Sequence, residues 1–219
     1  MVLILLIVGF LVLLIVLGVS SMRAATRRTE ALAAVAPQLG LQFAATDLTG
    51  LTPGFAGFNL FSHGRRKTVF NITYGRLDGD VEVMLFDFKY TTGSGKHQST
   101  RLQTVGFFQS DALTLPDFVA RPENVFDRIG QVFGGTDIDL PLHPDFSRRY
   151  LLKGADDGAV RNTFTADLAR FFEANPGLSV EAKTDRFILY RSGKRLAPEE
   201  WGAGVDKGLE LARLLRGKR

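Results

Sequence analysis

The sequence predicts an α+β fold in which an N-terminal transmembrane helix precedes an antiparallel-sheet domain with about three packed helices. Three observations carry this reading. An unbroken aliphatic run opens the chain, period-two alternation dominates residues 58–109, and stripes of helical period fall in separate segments afterwards. Segregated strands and helices, with tight turns between strands, favour antiparallel α+β over a doubly wound sheet.

Residues 2–19 carry no charge, and sixteen of these eighteen positions are Leu, Ile, Val or Phe, with Gly9 and Gly18 the exceptions. At about 1.5 Å per residue the run reaches roughly 27 Å, close to the hydrocarbon thickness of about 30 Å. Its insertion is worth on the order of −5 to −10 kcal/mol. A cleaved signal peptide would need a basic start and an apolar core of about 7–15 residues. No Lys or Arg precedes this run, and only Val19, Ser20 and Ser21 offer a weak cleavage site. Arg23, Arg27 and Arg28 follow the span directly, so they are expected at the membrane surface, and the positive-inside rule places the remaining domain in the cytoplasm, the periplasmic side being the alternative.

The expected organisation is a transmembrane helix over 1–21, a juxtamembrane helix or stalk over 22–40, and a soluble domain over 41–219 with possible halves 41–135 and 136–219. Residues 22–36 are rich in alanine and continue the helix until Pro37 and Gly40 stop it. A short strand is expected at 41–44, then an irregular connection containing Gly50, Pro53, Gly54 and Gly57. Next comes a meander of about four strands. The run at 58–62 reads as the first of them. Phe70, Ile72 and Tyr74 share a face of the second. Met84, Phe86, Phe88 and Tyr90 share a face of the third, opposite Val81, Val83, Leu85 and Asp87. The run at 101–108 is the fourth. Asp78-Gly79 suits a hairpin turn with positive φ at both positions. Phe107 and Phe108 are adjacent and so point to opposite faces, which leaves one of them exposed or covered by a helix.

Leu115-Pro116 is expected to end the meander, and Pro122 to open a short helix carrying Val125, Phe126, Ile129, Val132 and Phe133. Residues 137–144 read as a loop and 146–152 as a strand. One helix capped by Asp156 or Asp157 would bury Val160, Phe164, Leu168, Phe171 and Phe172. A second hairpin is expected from 178–182 and 186–190. Pro198 then opens a last helix with Trp201, Val205, Leu209 and Ala212 on one side.

The formal charge of +4 sits mostly in the three juxtamembrane arginines, which leaves the domain nearly neutral. Nucleic-acid binding, which needs basic residues clustered on a face, is not expected. The basic cluster Arg213, Arg216, Lys218 and Arg219 reads as a solvated helix end, with contact to anionic lipid as the functional alternative.

Catalytic signatures are sparse. Gly93-Ser94-Gly95-Lys96 lacks the upstream glycine and the hydroxyl residue after lysine that a phosphate loop requires, Tyr90 and His97 standing in their places. No Gly-x-Ser-x-Gly elbow and no His-x-x-x-His pair occur among three histidines. Asp137, Asp139, His143 and Asp145 are the one dense set of potential metal ligands, although their spacing matches no Ca²⁺ loop and Pro141 and Pro144 stiffen the segment. No cofactor is called for. The preferred reading is a non-enzymatic interaction or scaffold domain, tethered to the bilayer, whose partner is the lipid surface or a membrane or cytoplasmic protein. The alternative is a metal-assisted hydrolase or small-ligand-binding protein using the acidic loop at 137–145.

Leu115-Pro116-Asp117-Phe118 with Arg121-Pro122-Glu123, and Asp137-Ile138-Asp139 leading through Pro144-Asp145-Phe146-Ser147 to Tyr150-Leu151-Leu152-Lys153-Gly154, are the two stretches that carry a resemblance. Over residues 110–165 and the anchor, the chain resembles a group of small bacterial single-pass membrane proteins to which no activity is attached. The resemblance implies a bacterial single-pass protein and carries over no catalytic residue.

Overall fold

The computed structural model describes residues 1–46, 52–123 and 137–217. The helix expected from Pro122 onwards, with Val125, Phe126, Ile129, Val132 and Phe133, lies at 124–136 outside the described residues, as do Gly50, Lys218 and Arg219.

Helix α1 runs unbroken from Val2 to Val35 and ends in a 3-10 turn, Ala36–Leu39, with Gly40 in the left-handed region at φ 71°. Among the described residues it is the one helix long and apolar enough to cross a membrane, with a mean hydropathy of 2.4 over its most apolar window. Leu6, Phe10, Ile15 and neighbouring side chains of that segment are exposed, whereas Leu32 and Ala36, four and five turns beyond the apolar run, are fully buried.

Eight strands form one antiparallel sheet in the order β1-β2-β3-β4-β8-β7-β5-β6. They are β1 Gln42–Thr46, β2 Arg65–Leu77, β3 Val81–Thr92, β4 Ser99–Gln109, β5 Leu115–Pro122, β6 Tyr150–Gly154, β7 Ser179–Thr184 and β8 Arg186–Tyr190. Pairing of β4 with β8 carries the sheet across the two stretches 41–135 and 136–219. The turn between β2 and β3 has positive φ at both Asp78 and Gly79, as the Asp-Gly pair requires.

The alternation in β3 sorts its residues as expected. Val81, Val83 and Leu85 enter the larger core beneath the helices, while Phe86, Phe88 and Tyr90 enter a second, mostly aromatic core on the opposite face. The adjacent Phe107 and Phe108 are both buried, one on each face. Helix α6, Trp201–Arg216, covers Phe108, and Gly208 is placed where any Cβ would fall inside that ring. The helix can therefore lie directly on β3 and β4.

Five expectations are corrected. The run 58–62 is a helical turn, α2 Asn59–Ser62, because short apolar runs carry no period long enough to separate helix from strand. Phe70, Ile72 and Tyr74 do not share a face. A bulge between Phe70 and Thr73, with Asn71 at φ 52°, pairs Phe70 with Asp87 on the helix-covered face and leaves Ile72 and Tyr74 on the aromatic one. Leu115-Pro116 opens strand β5 instead of ending the sheet, with Pro116 at a register shift against β7 and Pro122 at the strand end, where a missing N–H is tolerated. Residues 146–152 divide into α3 Pro144–Ser147 and β6. The single helix expected after Asp156 is two, α4 Asp157–Thr163 and α5 Ala166–Ala174. Asp156 accepts from the Ala159 N–H to cap the first and Thr165 from the Leu168 N–H to cap the second. Both bury the same face, so their combined stripe imitates one helix.

Candidate functional site

Two features could carry function: the junction between α1 and the sheet, and a cleft beside it.

At the junction stands Asp87, the one buried charged side chain of β3, with no side-chain exposure. Arg28 reaches it from α1 in a bidentate pair, Nε donating to Oδ2 at 2.8 Å and Nη2 to Oδ1 at 2.9 Å. Asn71, turned inward by the β2 bulge, donates to Oδ2 at 3.0 Å, and the Thr104 hydroxyl donates to Oδ1 at 3.1 Å. The carboxylate thus meets four donors and the charge is fully compensated. The Thr29 hydroxyl, one residue along α1, donates to the Asn71 amide oxygen at 2.8 Å. The Arg28 guanidinium also lies 5.6 Å from the centroid of the Trp201 ring, and the Trp201 indole N–H donates to the Thr73 hydroxyl at 2.7 Å. Helix α1, the bulge and α6 are thereby bound to one buried carboxylate. Arg28 therefore differs from Arg23 and Arg27, which are exposed: it faces the sheet and not the membrane surface.

The cleft lies between β4, β8, the connection after β8 and the first turns of α6, and has a volume of about 530 Å³. Such a volume falls in the usual range for a site taking one small molecule, about 300–1,000 Å³. Its floor is apolar, with Leu85, Leu178, Leu189 and Leu196 and the bare backbone of Gly106 and Gly204. Arg191, Lys194, Arg195 and Lys207 stand around it, against Glu200 as the one carboxylate, which accepts the Ala197 N–H at 2.8 Å. Thr104 lines the cleft as well. Its hydroxyl accepts the Leu196 N–H at 3.0 Å while donating to Asp87, so the cleft's loop and α1 are linked through one carboxylate.

On the opposite face, Glu181 of β7 is 2% exposed beneath the aromatic core. Its carboxylate accepts the backbone N–H groups of Asn59 at 2.5 Å and Leu60 at 3.1 Å, and the Tyr190 hydroxyl at 3.1 Å. Desolvation outweighs these bonds and pushes the carboxyl up to about 7. The sign of the linkage follows: between the unfolded value near 4.5 and the folded value near 7 the folded state holds the proton and the unfolded state does not. Stability is therefore expected to fall as pH rises from about 5 to 7, by on the order of 3 kcal/mol from this group, and to level off above. Urea unfolding followed across this range checks it; Glu181→Gln should remove that slope.

The acidic loop is arranged differently from a ligand set. Asp137 accepts the Leu152 N–H at 2.8 Å, the Asp139 carbonyl accepts from Arg161, Asp145 pairs with Arg148, and the His143 N–H donates to the Leu140 carbonyl at 2.8 Å. Among the described residues no three His, Asp or Glu side chains converge on a point that could hold a metal. Gly93-Ser94-Gly95-Lys96 forms the exposed connection between β3 and β4 and leads only into a three-residue 3-10 turn, Gly95–His97, and not into an α-helix of the kind that receives phosphate. In the C-terminal cluster, Arg213 donates to Asp78 and Arg216 to Asp80, whose carboxyl is held below its ordinary range by the Ser110 hydroxyl and by Arg216.

The basic turn Arg191-Ser192-Gly193-Lys194-Arg195 was not singled out by the sequence reading, although three cations within five residues were the available signal. What hid it is that its apolar floor comes from β3, β4 and β8, distant in the chain.

No protein-family model matches the chain, and no curated protein does. Among solved structures the chain is similar to the crystal structure of the mycobacterial trehalose monomycolate transport factor A, TtfA. The TM-score is 0.61 at 14% identity, over 89% of this chain and 96% of that one. At that identity the likeness is one of fold, in keeping with the α+β architecture described above.

Proposed function

We propose that this chain is a membrane-tethered, non-enzymatic accessory domain that holds a binding surface at a fixed position beside the bilayer, in the service of a system that moves an amphiphilic lipid. The observation that carries the reading is the continuity of α1. One helix passes from an exposed aliphatic segment to a buried bidentate pair with the sheet, so the domain is mounted on its anchor without a linker. A transport factor that shares the fold at 14% identity supports the lipid part of the reading. Arg23 and Arg27, exposed just beyond the apolar segment, favour a cytoplasmic domain.

A deletion strain tests the proposal. The full chain should restore the lipid composition of the envelope, and so should a chain in which residues 2–20 are replaced by an unrelated apolar helix of equal length. A chain beginning at residue 22, folded but untethered, should not. Full restoration by that soluble chain would contradict the tethered reading. A reporter fused after Arg219 and active only outside the cytoplasm would overturn the orientation.

A further inference from the structure

The cations around the cleft differ from those at the α1 junction and at the end of α6. Arg213 and Arg216 end on Asp78 and Asp80, and Arg28 ends on Asp87. The side chains of Arg191, Lys194 and Arg195 make no hydrogen bond or ion pair among the described residues, and Lys207 donates only to the neutral Asn175 side chain. With Glu200 as the one opposing carboxylate, the rim has a formal excess of three positive charges over an apolar floor. Unpaired cations above leucines are complementary to a ligand with an anionic head and an apolar body. Arginine's planar fork matches the paired oxygens of a carboxylate as it does those of a phosphate.

Size and position narrow the class. At roughly 30 Å³ for each heavy-atom group, the liquid-volume share of a water molecule, the 530 Å³ cleft is of the size of one long acyl chain. Arg28 stands nine residues beyond Val19 on the unbroken α1, about 14 Å of helix. Trp201 lies against Arg28, and the next turn of α6, with Ala203, Gly204 and Lys207, forms one side of the cleft. Where α1 spans the bilayer, the cleft therefore lies within about three helical turns of the headgroups, and the occupant's source is the membrane.

We propose that the cleft between β8 and α6 is a receptor site for a single-chain fatty carboxylate drawn from the adjacent leaflet, its tail over Leu189 and Leu196 and its head between Arg191 and Arg195. The membrane source rests on the tethered reading given above. The head and tail assignments rest on the cleft alone.

Photolabelling of the full chain in phosphatidylcholine vesicles tests this. The probe is a trace of a 16-carbon fatty acid bearing a mid-chain diazirine, compared with the corresponding neutral alcohol of the same tail. The fatty acid is expected to label peptides from residues 178–207 as well as residues 2–19. The alcohol should label 2–19 to the same extent and the cleft at least ten-fold less. Arg191→Glu with Arg195→Glu should cut cleft labelling ten-fold and leave 2–19 unchanged. Ala203→Trp, at an exposed position on the cleft wall, should do the same by occupying the space without altering charge. Labelling of 2–19 with none in the cleft overturns the site and leaves the tether standing. Equal cleft labelling by acid and alcohol, or labelling indifferent to all three substitutions, overturns it too. Cleft labelling without any at 2–19 supports the site and contradicts the tether.

Discussion

A chain that begins at residue 41 is expected not to fold, whereas one that begins at residue 22 should fold with nearly full stability. The first lacks Leu32 and Ala36, both fully buried, and the partly buried Val35 and Leu39 beside them, and it leaves Asp87 without its guanidinium. Burying one leucine is worth about 1.5–3 kcal/mol. Removing one partner of a buried ion pair costs about 3–5 kcal/mol. Together they approach the whole stability of an ordinary domain, about 5–15 kcal/mol. Residues 22–27, which the second chain keeps, are exposed and contribute little. Circular dichroism and urea titration of the two chains separate the cases. The boundary drawn at 40/41 from Pro37 and Gly40 marks the end of the helix correctly but not the edge of the cooperative unit, since a helix stop gives no information about what the preceding turns touch.

Arg28→Ala in the full chain should lower the unfolding free energy by about 3–5 kcal/mol, the penalty of an uncompensated carboxylate at a position with no exposure. Asp87→Asn added to it should recover part of the loss, because an amide needs no counter-charge while still accepting from Thr104 or Asn71. The double variant is thus expected to be more stable than the sum of the two single losses would allow. Trp201, the one tryptophan of the chain, lies against Arg28 and reports both unfolding and loss of the junction by its fluorescence. Additive losses would mean that the pair contributes nothing as a pair.

Strand faces were largely legible where the alternation was long. Val81 to Tyr90 sorted onto two cores as expected, and Asp87 fell on the predicted face, although its charge there was not read as a sign of a partner. The partner itself was not legible, since Arg28 stands 59 positions away and beside two other arginines that follow the same apolar run. The bulge at Asn71 was invisible because one additional residue leaves composition and turn signals unchanged while moving Phe70 to the other face. Pro116 and Pro122 were read as breaks, their usual meaning, but a register shift and a strand end accommodate them. The cleft is assembled from strands and a helix more than a hundred positions apart, from Leu85 to Lys207, so only its basic turn had a local signature.

The central claim is that the anchor and the domain are one rigid piece. Because the chain has no cysteine, single cysteines at the exposed Ser21 and Glu199 can carry a pair of spin labels without background, and their distance distribution can be measured by pulsed electron resonance in bilayer discs. A single narrow distribution is expected, broadening in Arg28→Ala; a broad distribution in the unaltered chain, unchanged by that substitution, would contradict the account.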